Sequence, residues 1–206
     1  WGKGLSRPVP EVDEIDAWLN MRAKVQPKAP ASKPDYFRDL PLQLGGNPTV
    51  VTQGQCGADA FVFATRLLQA LMDDPGLTAE HRQWWVAGQD AVFARCAWSP
   101  SVTKTPPPMP ALLPDGAPAK LVALNAYQRA AAMFYGDDHA GALKAFDAIA
   151  ADKAHPMRPW AVVGAMRSLV RATVRDDSWD KAFQDAYGRQ GLRAQALREA
   201  LGKANE

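Results

Sequence analysis

Cys56-Gly-Ala-Asp-Ala-Phe61, Asp74-Pro75-Gly76-Leu77-Thr78 and Gln89-Asp90-Ala-Val-Phe93-Ala-Arg-Cys96 are the two ends and the middle of the stretch on which the fold turns. Helical patterns lie on either side of the central five residues. Proline cannot continue the first helix, Gly76 suits a left-handed cap, and Thr78 can N-cap the second. Gly76 lies midway between the cysteines, twenty residues from each. If helices of equal rise fold back at that glycine, Cys56 and Cys96 reach the same height at the open end. A turn then closes one end of a helical hairpin, and a disulfide closes the other.

The first helix is expected over 56–72 and the second over 78–97. Cys56, Ala60, Phe63, Leu67 and Leu71 form one stripe at helical spacing, and Trp85, Gln89, Val92 and Cys96 form the other. Folding at residue 76 pairs Leu67 with Trp85, Phe63 with Gln89 and Ala60 with Val92. Gln89 is polar on an apolar stripe and must find partners when buried. Together with Asp59 and Asp90 it is assigned a structural polar role, the Gln89-Asp90 pair serving to pin residues 35–55, with ligand contact as the alternative for that pair. Trp84 cannot point the same way as Trp85 and is read as packing into a neighbouring helix, with an outward binding anchor as the alternative.

Outward from the hairpin, residues 1–10 read as irregular. Glu11 to Val25 forms a short amphipathic helix with Val12, Ile15, Trp18, Leu19 and Met21 inward. Pro27 to Pro34 breaks it. Residues 35–55, with the turn Gly45-Gly46-Asn47-Pro48, read as an irregular brace. On the other side, Ser99 to Pro118 holds Pro100, Pro106 to Pro108, Pro110 and Pro114, a loop that serves as a linker or as an extended arm bound in a groove. Beyond it helices are expected over Lys120–Tyr135, Ala140–Ala151, Trp160–Val174, Ser178 to about Tyr187 and Leu192–Lys203, separated by short polar turns. No segment shows convincing strand alternation. The fold class is therefore all-α, in four parts: 1–55, the hairpin 56–98, the proline-rich loop 99–118 and the helices of 119–206.

At 206 residues and 47% hydrophobic, the chain can bury a substantial core. Its net charge of +2 comes from interspersed acids and bases without a basic block, which argues against nucleic acid as the main partner. No run approaches the roughly 18 apolar residues of a membrane span. The opening Trp1-Gly-Lys lacks a methionine and reads as a processed or truncated piece whose targeting signal is out of view. Two cysteines are too few for a disulfide scaffold, but their mirrored placement favours one bridge and hence an oxidising, extracytoplasmic compartment, periplasm or cell envelope.

The C-terminal half resembles the tetratricopeptide repeat. Ala142-x-x-x-Phe146 matches its second-helix signature. Trp160-x-x-Val163-Gly164 resembles the first helix of a following repeat, and Asp177-Ser-Trp179-Asp-Lys-Ala182 the start of its second helix. Arg167 stands where an aromatic is usual, and Ala186 replaces a later Phe. The resemblance implies stacked antiparallel helix hairpins, an α-solenoid, that binds proteins or peptides. The chain also resembles a group of exported bacterial proteins that share Cys56, Asp59, Ala60 and Phe61 at the start of the hairpin. They share Trp85, Gln89, Asp90, Val92, Phe93 and Cys96 at its end. That likeness implies no activity.

Gln53-Gly54-Gln55-Cys56-Gly57 is similar to the segment around the nucleophile of papain-like proteases. In that alignment Cys56 takes the place of a disulfide-forming cysteine, and the nucleophile's place falls on Asp59, which cannot form a thiolate. His81, His139 and His155 are the available bases, and His139 and His155 read as solvated turn residues. No His pair has metal-ligand spacing, and Asp137-Asp138 and Asp176-Asp177-Ser178 read as helix caps rather than a calcium loop. No cofactor is expected. The function these features favour is a non-catalytic protein-interaction or scaffold module of an exported protein. The alternatives are a hydrolase with a site built from loops 35–55 and 99–118, or a structural subunit of a larger envelope assembly.

Overall fold

The computed structural model describes residues 13–30, 39–44, 47–52, 56–98 and 103–175. Two compact units divide the chain, Trp1–Pro108 and Met109–Glu206, so the boundary falls inside the proline-rich segment. Among the described residues there are six helices and one two-stranded sheet.

In the first unit, helix α1 (Asp13–Ala23) packs on α2 (Ala58–Met72), which also packs on α3 (Ala79–Cys96). Ile15, Trp18 and, near its C-terminal end, Arg22 are the buried residues described in α1. Trp18 meets Trp85 and Phe93 edge-on, at ring-centroid distances of 6.2 and 5.4 Å, and Phe93 stacks on Phe61 at 4.3 Å. The deepest stripe of α2 is Phe61, Ala64, Leu68 and Leu71. It lies one residue on from the expected Ala60, Phe63 and Leu67, and only Leu71 is common to both. The cause is the second neighbour: with α1 on one side and α3 on the other, burial peaks along the line between them.

The turn at Asp74 to Leu77 also differs in mechanism. Gly76 does not take the left-handed conformation. Instead the Asp74 carboxylate accepts from Gly76 N at 2.9 Å, and the Asp74 carbonyl accepts from Leu77 N at 3.2 Å. Thr78 caps α3 as a capping box, accepting from His81 N while its own N–H donates to His81 Nδ1. Arg82 then donates to the carbonyls of Leu71 and Asp74, satisfying acceptors at the C-terminal end of α2.

The expected irregular brace contains an antiparallel hairpin, β1 (Asp39–Leu44) paired with β2 (Asn47–Thr52), in the register Leu40 to Val51 and Leu42 to Thr49. Leu40, Leu42 and Leu44 do alternate, but Pro41 and Pro48 masked the signal. In a two-stranded sheet both strands are edges, where a missing amide is tolerated.

The second unit holds α4 (Ala119–Tyr135), α5 (His139–Ala151) and α6 (Arg158–Arg175). Each packs on the next, and α4 also touches α6. Asp137 closes α4 with φ +75, and Asp138 N donates back to the Met133 carbonyl. Asp138 is the N-cap of α5 and accepts from Gly141 N at 2.9 Å. Asp137-Asp138 thus ends one helix and starts the next. Residues 176–206, including the caps and helices expected over 176–203 and Ala182, lie outside the described residues.

Helices α5 and α6 approach closely at Gly164. A Cβ there would stand 2.8 Å from three carbons of the buried Phe146 ring. A rigid ring cannot give way as a flexible side chain can. Gly164→Ala should therefore cost about 1–3 kcal/mol in urea unfolding, as overpacking does, and Phe146→Leu in the same chain should recover part of the loss. Equal stability of Gly164→Ala and the unsubstituted chain would show that the helices separate freely.

Candidate functional site

Asp90, expected to hold residues 35–55, has Arg22 of α1 as the partner that the described residues show. Arg22 Nε and Nη2 reach both carboxylate oxygens at 2.7–3.0 Å, and Nη1 donates to the carbonyls of Gln26 and Lys28 at 2.9 and 2.7 Å. The arginine is buried, and its charge is matched by an acid held in a two-pronged geometry. This pair ties α1 and the chain after it to α3. Gln89 is half-buried beside it in sequence, and Asp59 is exposed in the first turn of α2. The Asp59 carboxylate occupies the space a side chain on Gly57 would need, which places a negative charge at a helix N-terminus.

Cys56 and Cys96 are joined as a disulfide with Cα atoms 5.7 Å apart, well within bonding range. This leaves Cys56 no thiol for nucleophilic attack. His81 is engaged in the capping box, and His155 Nδ1 accepts from Met157 N at 3.1 Å. His139 is buried rather than solvated: it lies against the Phe134 ring, with Nε2 3.3 Å from an Asp137 carboxylate oxygen. As the first residue of α5 it is carried onto the aromatic end of α4 by a tight turn. Among the described residues no three His, Cys, Asp or Glu side chains gather around a point that would hold a metal ion. No described helix is long and apolar enough to cross a membrane.

The Phe134 ring carries a second group of charges. The guanidinium carbons of Arg167 and Arg171 lie 5.0 and 5.5 Å from its centroid. Burial, and after it the positive charge of Arg167, pushes the Arg171 guanidinium below its usual value, while Asp137 and Tyr135 act the other way. Arg167 itself is exposed, and the same side of α6 carries Val163 and Trp160, which are 43% and 51% exposed. The spacing 160, 163, 167 makes them one stripe of the helix.

The proline-rich segment is seated on α4. Pro110 is fully buried, Asn125 Nδ2 donates to the Ala111 carbonyl at 3.0 Å, and Arg129 Nη1 donates to the Pro110 carbonyl. Gly116 takes φ +82 at the third position of a turn closed by Ala117 N and the Pro114 carbonyl, and α4 begins directly after Pro118. The sequence signal for this seat is the polar pair Asn125-x-x-x-Arg129 in a helix whose other polar residues include Lys120 and Gln128, and the pair was not singled out. Arg22 was missed in the same way, as a charge in the last turn of a short helix.

Comparison with known proteins finds no matching family model, no matching curated protein and no matching solved structure. Of the residues that carried the repeat resemblance, Phe146 and Gly164 touch, and Ala142 is buried on the same helix as Phe146. Trp160 is half-exposed, and Ala182 lies outside the described residues.

Proposed function

We propose that this chain is a non-catalytic interaction or scaffold module of an exported protein, working in the periplasm or cell envelope. Its second unit is read as a tetratricopeptide-like array of antiparallel helix hairpins. What carries the reading is the stripe Trp160, Val163 and Arg167 on α6, where two large apolar side chains stand half in water on the helix side that also bears the exposed Arg167. Tryptophan and arginine are the residue types most enriched at the anchoring points of protein interfaces. The Cys56–Cys96 bridge supports an oxidising compartment. Membership of a larger assembly fits the same stripe.

A photo-crosslinking side chain at Val163 in the full chain tests the reading, with the same group at exposed Arg66 on α2 as control. In a cell-envelope extract, Val163 should give a discrete adduct that Arg66 does not, and Trp160→Ala should weaken it at least tenfold while leaving the melting temperature nearly unchanged. Identical adducts from both positions, or labelling of the chain by a hydrolase activity probe, would overturn the reading.

A further inference from the structure

A proline has no amide N–H, so an extended proline-rich strand offers a partner only carbonyls and rings. A surface that recognises such a strand must supply donors and a place for a ring. Helix α4 supplies the donors, and the proline ring beside them, that of Pro110, is fully buried. The donors, Asn125 and Arg129, stand one helical turn apart and take two consecutive carbonyls, those of Ala111 and Pro110. The later helix residue meets the earlier strand residue, so the strand runs against the direction of α4. The Pro110 ring is fully buried, and Asn125 is itself about 95% buried, at 5% exposure. Placing an amide there costs free energy unless it is bonded, and the Ala111 carbonyl is the partner that satisfies it.

We propose that this face of α4 is a recognition site for extended proline-rich peptide, filled in cis by the chain's own segment around Pro110 and able to take a proline-rich strand from another protein. The resident segment is held at Pro110 and turns to solvent directly after it. Its neighbours Ala111 and Leu112 are exposed, Leu112 to 75%. A strand in trans competes with a tethered one whose effective concentration is on the order of millimolar. The favoured ligand therefore carries a proline at the Pro110 position and extends beyond it, making contacts that the resident segment lacks. This site is separate from the α6 stripe, and either assignment can fail while the other holds.

A fluorescent peptide with the sequence of residues 104–113 tests the site, titrated into the full chain and into full-length Pro110→Gly. That substitution removes the buried ring and leaves the donors of α4 in place. The peptide should bind Pro110→Gly saturably, at least tenfold more tightly than it binds the unsubstituted chain. Adding Asn125→Ala and Arg129→Ala should reduce that binding at least tenfold, and a peptide with alanine for every proline should not bind. Because these variants can also disturb folding, the Asn125 side-chain amide signals of the unsubstituted protein give a second readout. They should shift on adding about 1 mM peptide, the concentration at which it rivals the tether. Unmoved Asn125 signals together with no saturable binding to Pro110→Gly would reduce the seat to a structural linker contact and sink the proposal.

Discussion

Reduction of the Cys56–Cys96 bridge should destabilise the first unit by about 4 kcal/mol, the chain-entropy value for a loop of this size. The bridge closes a loop with a sequence separation of 40 residues, and both cysteines are buried. The unfolded chain regains that loop's freedom when the bridge opens, whereas the folded hairpin still has its turn, capping box and aromatic contacts. For a unit of this size the melting temperature should drop by roughly 10 °C or more. Cys56→Ser and Cys96→Ser should have equal effects, and the double variant should be no worse than either single one. Thiol titration of the native protein should find no free thiol until reductant is added. Two titratable thiols in the unreduced protein would remove the bridge, and with it the main physical support for an oxidising compartment.

Trp18→Ala should cost about 3–5 kcal/mol, as truncation of a large core aromatic does. The side chain is fully buried and joins α1 to the hairpin, edge-on to Trp85 and Phe93. Helix α1 has 11 residues, too few to persist in water without its partner. Its loss would also release the Arg22 contact with Asp90, so amide exchange over 13–23 should accelerate together with the fall in the urea midpoint. Among the described residues the Trp18 indole N–H has no hydrogen-bond partner. Trp18→Phe, which deletes an unsatisfied donor while keeping a ring, should therefore lose much less than Trp18→Ala. A loss below about 1 kcal/mol for Trp18→Ala would mean that α1 is not held by this contact.

Helix positions were largely legible from the chain. The expected 56–72 and 78–97 stand as Ala58–Met72 and Ala79–Cys96, and the three described helices of the second unit lie within two residues of their expected bounds. Periodicity, caps and proline stops act over a few residues, so a linear reading can find them. The pairing of Cys56 with Cys96 was legible for a related reason: a tight turn at the midpoint leaves two helices little choice of register. The β-hairpin was not, because its alternation is short and carries prolines that only an edge strand accommodates.

Of the candidate site, the sequence by itself determined the chemistry available: two cysteines placed to bridge, three histidines without metal-ligand spacing, the signature residues Phe146 and Gly164, and a proline-rich segment that is a linker or a bound arm. The tertiary structure decided how these are used. It buried Arg22 by bringing Asp90 to it from 68 residues away, turned the deepest face of α2 by one residue between two neighbours, and moved His139 out of water onto Phe134. It also seated Pro110 on the donors of α4. Each of these depends on which surfaces meet at long range, and a side chain's burial and partners are properties of that meeting rather than of its neighbours along the chain.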